Sequence, residues 1–191
     1  MPDSAFDACL KFVLQFEGGF VNDPRDPGGA TNLGVTIGTL SRFLGRPATV
    51  AEVKKLSPRS VAPIYKKMFW DEVQAGAIPA GVDLAVFDFA VHSGPVRAAI
   101  ALQRVCGVAD DGNPGPITLA AVKRGDPSLI VQRLCAERLA FLSRLSVFKS
   151  FGRGLRNRVS KCESAALLMV SNDIGRAVAD AEEITEALAA A

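Results

Sequence analysis

The chain has 191 residues, 49% of them hydrophobic, with a mean hydropathy of +0.22 and a formal net charge of +2. That composition supports a real core, and 22% charged residues without a polar low-complexity run exclude a disordered chain. Four separated cysteines with no Cys-x-x-Cys, and His92 as the only histidine, argue against zinc-type and Cys/His sites; no metal and no cofactor are expected.

Asp3 is placed to cap a first helix running to about Glu17, with Phe6, Leu10, Val13 and Glu17 on one face at helical spacing. Gly18 and Gly19 then stop it. A helix C-terminus and partial burial both disfavour the ionised form of Glu17, which suits a general acid. On position alone, a last-turn Glu folded back to solvent is the favoured reading.

Residues 17–36 pack one Glu, two Asp, two Thr, two Pro and five Gly into twenty positions. Gly and Pro set special backbone angles, so the loop is expected to hold its acids in a fixed, exposed bend. Short extended pieces are expected near 20–21 and 33–36, with a small hairpin allowed. Thr36 and Thr49 are expected to cap helices over 37–44 and 50–56. For the next helix Ser60 is preferred over Ser57 as cap, because Pro63 fits only in a first turn; that helix should continue through Trp70. Tyr65 and Trp70 are the only Tyr and Trp; most such residues are core, and the minority reading is an edge that stacks on sugar.

Residues 82–93 form a helix apolar almost all round, hence central. Gly94-Pro95 breaks it, and a helix over 95–106 ends at Gly107. The cluster at 110–116 lacks the spacing and closing Glu of a calcium loop and reads as a turn into a helix over 117–123. Asp126-Pro127 caps a long helix to about 146, and a last helix runs toward the alanine-rich end. The four Cys, each among apolar residues, read as buried thiols. Residues 122–161 carry ten Lys/Arg against Asp126 and Glu137, and residues 163–191 carry six acids against Arg176. These are two solvated helix faces, or attraction to an anionic polymer such as cell wall or nucleic acid.

Residues 17–36 resemble the signature of the glycosyl hydrolase 108 family, lysozyme-like N-acetylmuramidases of bacteria and their phages. Phe87-Asp88-Phe89-Ala90-Val91-His92-Ser93-Gly94 is similar to the family's second motif. Leu102-Gln103 with residues 111–118 resembles its peptidoglycan-binding region, and residues 151–159 its closing motif. The resemblance implies an all-α, lysozyme-like helical fold with a small turn or hairpin catalytic loop. It divides the chain into a catalytic lobe over 1–94 and a helical peptidoglycan-binding lobe over 95–191 packed on it. It further implies Glu17 as the catalytic acid. As in phage lysozymes, an Asp follows after eight intervening residues, here Asp26, and then a Thr, here Thr31, one residue nearer than in those enzymes. Asp23 is the rival to Asp26. Asp23, Tyr65, Trp70 and His92 are the candidate substrate contacts. His92 stands where the family pattern has Asn, and Leu155 where it has Trp.

The implied reaction is cleavage of the β-1,4 bond between N-acetylmuramic acid and N-acetylglucosamine in peptidoglycan glycan strands. A lytic transglycosylase and a non-catalytic wall-binding module that aids secretion are the alternatives. Nucleic-acid binding has only the basic segment behind it and no motif. No stable membrane insertion is expected, since the longest apolar run covers only 165–170, and a monomer is expected. Asp3 and Asp7 replace a basic n-region, so the protein is expected to be made in the cytoplasm without a standard signal peptide. It would then reach the periplasmic or extracellular wall through a holin pore or dedicated export.

Overall fold

The computed structural model describes residues 4–23 and 28–189. Among them the chain is helical apart from one small hairpin, as expected of a mostly-α, lysozyme-like fold. α1 (Ser4–Leu14) buries Phe6, Cys9, Leu10 and Val13 along one stripe. It stops three residues short of Glu17: Gln15, Phe16 and Glu17 each donate to the carbonyl three residues back, so the helix ends in a tightened turn. Asp3, the expected cap, lies outside the described residues.

β1 (Thr31–Asn32) and β2 (Val35–Thr36) pair antiparallel around Leu33-Gly34, and Val21 bridges back onto Thr31. Both turn residues have positive φ, 48° at Leu33 and 72° at Gly34. Glycine adopts this freely and leucine does not, so the turn stores strain at Leu33. Two bonds hold it beside the ladder itself: Leu33 N–H to the Gly18 carbonyl (2.9 Å) and Tyr65 hydroxyl to the Leu33 carbonyl (2.8 Å). Buried Asn32 donates its side-chain amide to the carbonyls of Val53, Lys54 and Leu56 at 3.0–3.2 Å. It thereby ties the open C-terminal carbonyls of the helix over Val50–Lys54 to the hairpin.

Thr36 caps α2 (Ile37–Leu44), which ends at Gly45 in the left-handed region. Thr49 and Glu52 form a capping box on α3 (Val50–Lys54), shorter than expected. α4 (Pro58–Tyr65) is capped by Ser57, not Ser60; Ser60 completes the box from inside the helix, and Pro63 is accommodated in its interior. A π-helical turn over Lys66–Trp70 follows, with Asp71 N–H bonding the Lys66 carbonyl. The helix thus reaches Trp70 as the periodicity suggests, by widening rather than by continuing as α.

α5 (Val82–Ser93) is central: every residue from Val82 to Ala90 is buried. α1, α6 (Pro95–Val105), α8 (Pro127–Ser143) and α9 (Phe148–Ala189) pack against it, and α8 lies along α9. α7 (Pro116–Arg124) follows the Asp110 turn. Buried Gln103 holds that turn, donating to Asp111, the Asn113 carbonyl and Thr118 while accepting from Gly112 N–H. Asp126 caps α8 through the Ser128 and Leu129 N–H groups. Buried residues before and after Gly94 belong to one cluster, from Val13 and Phe87 to Leu134 and Val159. No helix among the described residues is long and apolar enough to cross a membrane.

Candidate active site

Glu17 is carried on the tightened turn after α1, and its side chain is 15% exposed. Oε1 lies 2.9 Å from Nη2 of Arg158, which α9 brings in from the far end of the chain. Oε2 faces the hairpin turn so closely that a Cβ placed on Gly34 would stand 2.6 Å from it and 2.3 Å from the Tyr65 hydroxyl. The carboxylate is therefore pinned between a guanidinium and a bare stretch of backbone, and it keeps partial access to solvent. Gly18 and Gly19 are exposed, and a Cβ on either would meet nothing within 4 Å.

Arg158 is itself held from behind. Its Nε and Nη2 donate to Oδ1 of Asp88 at 3.1 and 2.7 Å, while Arg138 donates to Oδ2. Asp88 and Arg138 are essentially without solvent exposure. Burial alone would push the Asp88 carboxyl up; the charges and hydrogen bonds of Arg138 and Arg158 outweigh it and hold the carboxyl below its usual range. The result is a row of alternating charge, Arg138, Asp88, Arg158, Glu17, running from the core to the surface. Phe16 and Phe89 lie against the two guanidinium groups, at 5.2 and 5.5 Å. Nε and Nη2 of Arg138 have no hydrogen-bond partner among the described residues, so Asp88 is what compensates that buried cation.

The other expected site residues divide clearly. Tyr65 and Trp70 are 0% and 1% exposed and pack around Phe87 (ring centroids 6.3 and 5.3 Å), so neither offers a face to a sugar. Tyr65 still belongs to the site. Burial first, and then the neighbouring Glu17 charge, push its hydroxyl up, and it remains a donor to the strained Leu33 carbonyl beside Glu17. Thr31 sits on the strand paired with Val21, with its hydroxyl donated to the Gly29 carbonyl at 3.3 Å. Asp23 is partly buried just beyond that bridge. Asp26 lies outside the described residues. His92 follows Asp88 by one turn on the same face of α5, half-buried, with Nδ1 2.9 Å from the Ser93 hydroxyl. Burial, then the positive charges of Arg138 and Arg158, lower its pKa to about 4, so the ring is neutral near pH 7. The row behind Glu17 was not anticipated from sequence. Its signal was present: an Asp in the middle of a buried, largely apolar helix needs hydrogen-bond donors or a cation to meet it.

A family model described as Glycosyl hydrolase 108 matches residues 10–94. Among solved structures, the chain is similar to that described as the structure of Brucella abortus SagA. The identity is 46% and the TM-score 0.81, with 87% of this chain and 96% of that one covered. No curated protein matches the chain.

Proposed function

The chain belongs to the glycosyl hydrolase 108 family, and on that premise we propose that it is a muramidase. In this reading it hydrolyses the β-1,4 bond between N-acetylmuramic acid and N-acetylglucosamine in peptidoglycan. The observation that carries the proposal is the placement of Glu17: a carboxyl held on both sides and partly open to solvent, with a fixed cation 2.9 Å away. Cleavage of a glycosidic bond needs an acid to protonate the leaving oxygen, and a second carboxylate to stabilise charge or activate water. Glu17 fills the first role. As it gives up its proton its carboxylate gains negative charge, and Arg158 already stands beside the oxygen that receives it. Because Asp88 takes two of the Arg158 hydrogen bonds, that cation cannot swing away with the departing sugar.

Asp26 is proposed as the second carboxylate, on its spacing from Glu17, with Asp23 as the alternative. Thr31 is proposed to orient the attacking water. Neutral His92 adds no third positive charge beside Arg138 and Arg158.

Glu17→Gln tests the reading. Gln keeps the shape and cannot donate the proton, so release of reducing ends from purified cell walls should fall about a hundredfold or more. Circular dichroism should remain unchanged. Near-normal activity in the folded variant removes Glu17 from the mechanism. Mass spectrometry of wild-type products decides the chemistry: reducing ends mean hydrolysis, and anhydro ends mean transglycosylation.

A further inference from the structure

A second feature opens from α5 on the face next to the one that carries Asp88 and His92. Phe89 and Ser93, one residue further round the helix, floor a groove of about 420 Å³ between α6 and α8. Ile100 and Phe141 complete an apolar base. Three arginines line it, Arg97 and Arg104 from α6 and Arg144 from the end of α8, against one carboxylate, Glu137. Arg104 is neutralised by Asp110 at 2.6 Å. Arg97 is not: its guanidinium lies 4.2 Å over the Phe141 ring and donates to the Ser93 carbonyl, so it is held in place without a carboxylate partner among the described residues. Arg144 likewise has no ion-pair partner among the described residues. The groove thus presents two uncompensated, forked donors around an apolar floor, which suits a chain of small apolar groups bearing carboxylates.

We infer that this groove binds the stem peptide of peptidoglycan, with Arg97 and Arg144 on its carboxylates and its alanyl methyl groups on the half-buried Ile100 and Phe141. The inference rests on the proposed muramidase reading and narrows it: the enzyme would read the peptide as well as the sugar. The glycan itself carries no free carboxylate where its lactyl groups are amidated, so the acidic groups of this polymer are those of the stems. Position allows it. Ser93 is five residues beyond Asp88, about 7–8 Å along the helix axis. Asp88 is separated from Glu17 by a single guanidinium. A five-residue stem extends to about 16–18 Å, longer than that straight-line separation.

The test compares two substrates, intact sacculi and the soluble glycan strands, with free lactyl carboxylates, that an amidase leaves when it removes the stems. Wild type should cleave the intact walls faster. In R97Q/R144Q the ratio of the two rates should fall roughly tenfold or more, the scale of one or two charge-assisted hydrogen bonds. R97K/R144K, which keeps the charges, should retain most of that ratio. Binding is read separately by adding free stem pentapeptide to E17Q and following amide NMR shifts. Shifts at residues 93–97 and 141–144 that fade with salt support the groove. An unchanged rate ratio in R97Q/R144Q, or shifts absent from those residues, overturns the inference. If wild type cleaves neither substrate while the pentapeptide still shifts these residues, the muramidase reading fails and the groove stands.

Discussion

Replacing Asp88 by Asn tests whether the buried charge row holds the site. The variant keeps the shape of the side chain, removes its charge, and turns one acceptor oxygen into an amide NH2. Either orientation of that amide sets an N–H against a guanidinium, because Oδ1 accepts from Arg158 and Oδ2 from Arg138. Arg138 is 1% exposed and has no other ion-pair partner among the described residues, so a cation is left buried and uncompensated. Breaking a buried pair from one side costs about 3–5 kcal/mol. For a chain of this length each kcal/mol lowers Tm by about 2–4 °C, which gives a fall of about 6–20 °C by calorimetry. Removing the cation as well, in Asp88→Asn/Arg138→Met, should return part of the loss, with a coupling of about 1–3 kcal/mol in a double-mutant cycle by urea unfolding. A single variant within about 2 °C of wild type, or strictly additive effects in the cycle, would refute the account of Asp88 as the compensating anion.

Gly34→Ala should cost both stability and activity, since its Cβ would meet Glu17 Oε2 and the Tyr65 hydroxyl at contact-breaking distances and its φ is +72°. The φ contribution alone is about 1 kcal/mol, and a fall in kcat on cell walls larger than the change in Tm accounts for would identify displacement of Glu17. The pH dependence has two limbs. His92 has a folded-state pKa near 4 against an ordinary 6.5, so its contribution is full above about pH 6.5 and is lost as pH falls toward 4. Asp88, also depressed, adds a second loss below its ordinary 3.8. His92→Asn should flatten the plot of Tm against pH between 6.5 and 4 and leave the lower limb in place; an unchanged upper limb would exclude His92 as its source.

Helix starts were readable because they are local. Thr36, Thr49 with Glu52, and Asp126 with Pro127 announce their helices through groups within three residues of the cap. The central position of α5 was equally plain, since no face of it is polar enough to meet water. The errors came where local rules compete. Pro63 was expected in a first turn, but Ser57 and Pro58 form a complete N-terminus by themselves, and the helix carries Pro63 inside it. α1 was expected to include Glu17 by its spacing, yet the last turn tightens and delivers Glu17 against the hairpin. Of the candidate site, the stop of the first helix near Glu17 and the short hairpin after it were legible. The roles of Asn32 and Tyr65 were not, because each acts through carbonyls more than twenty residues away.

The two halves of the chain have different tasks at Glu17, and neither suffices. The segment before Gly94 supplies the carboxyl, the strained turn that packs against it and the buried Asp88. The cations that make Asp88 tolerable, Arg138 and Arg158, come from α8 and α9. An isolated carboxylate in the middle of an apolar helix would be expelled or protonated, and an isolated pair of buried guanidinium groups would be as costly. Each is acceptable because the other is present, so docking α8 and α9 onto α5 and setting Arg158 beside Glu17 are the same event. The matched family segment ends at residue 94, whereas the geometry of Glu17 depends on a residue sixty-four positions further on.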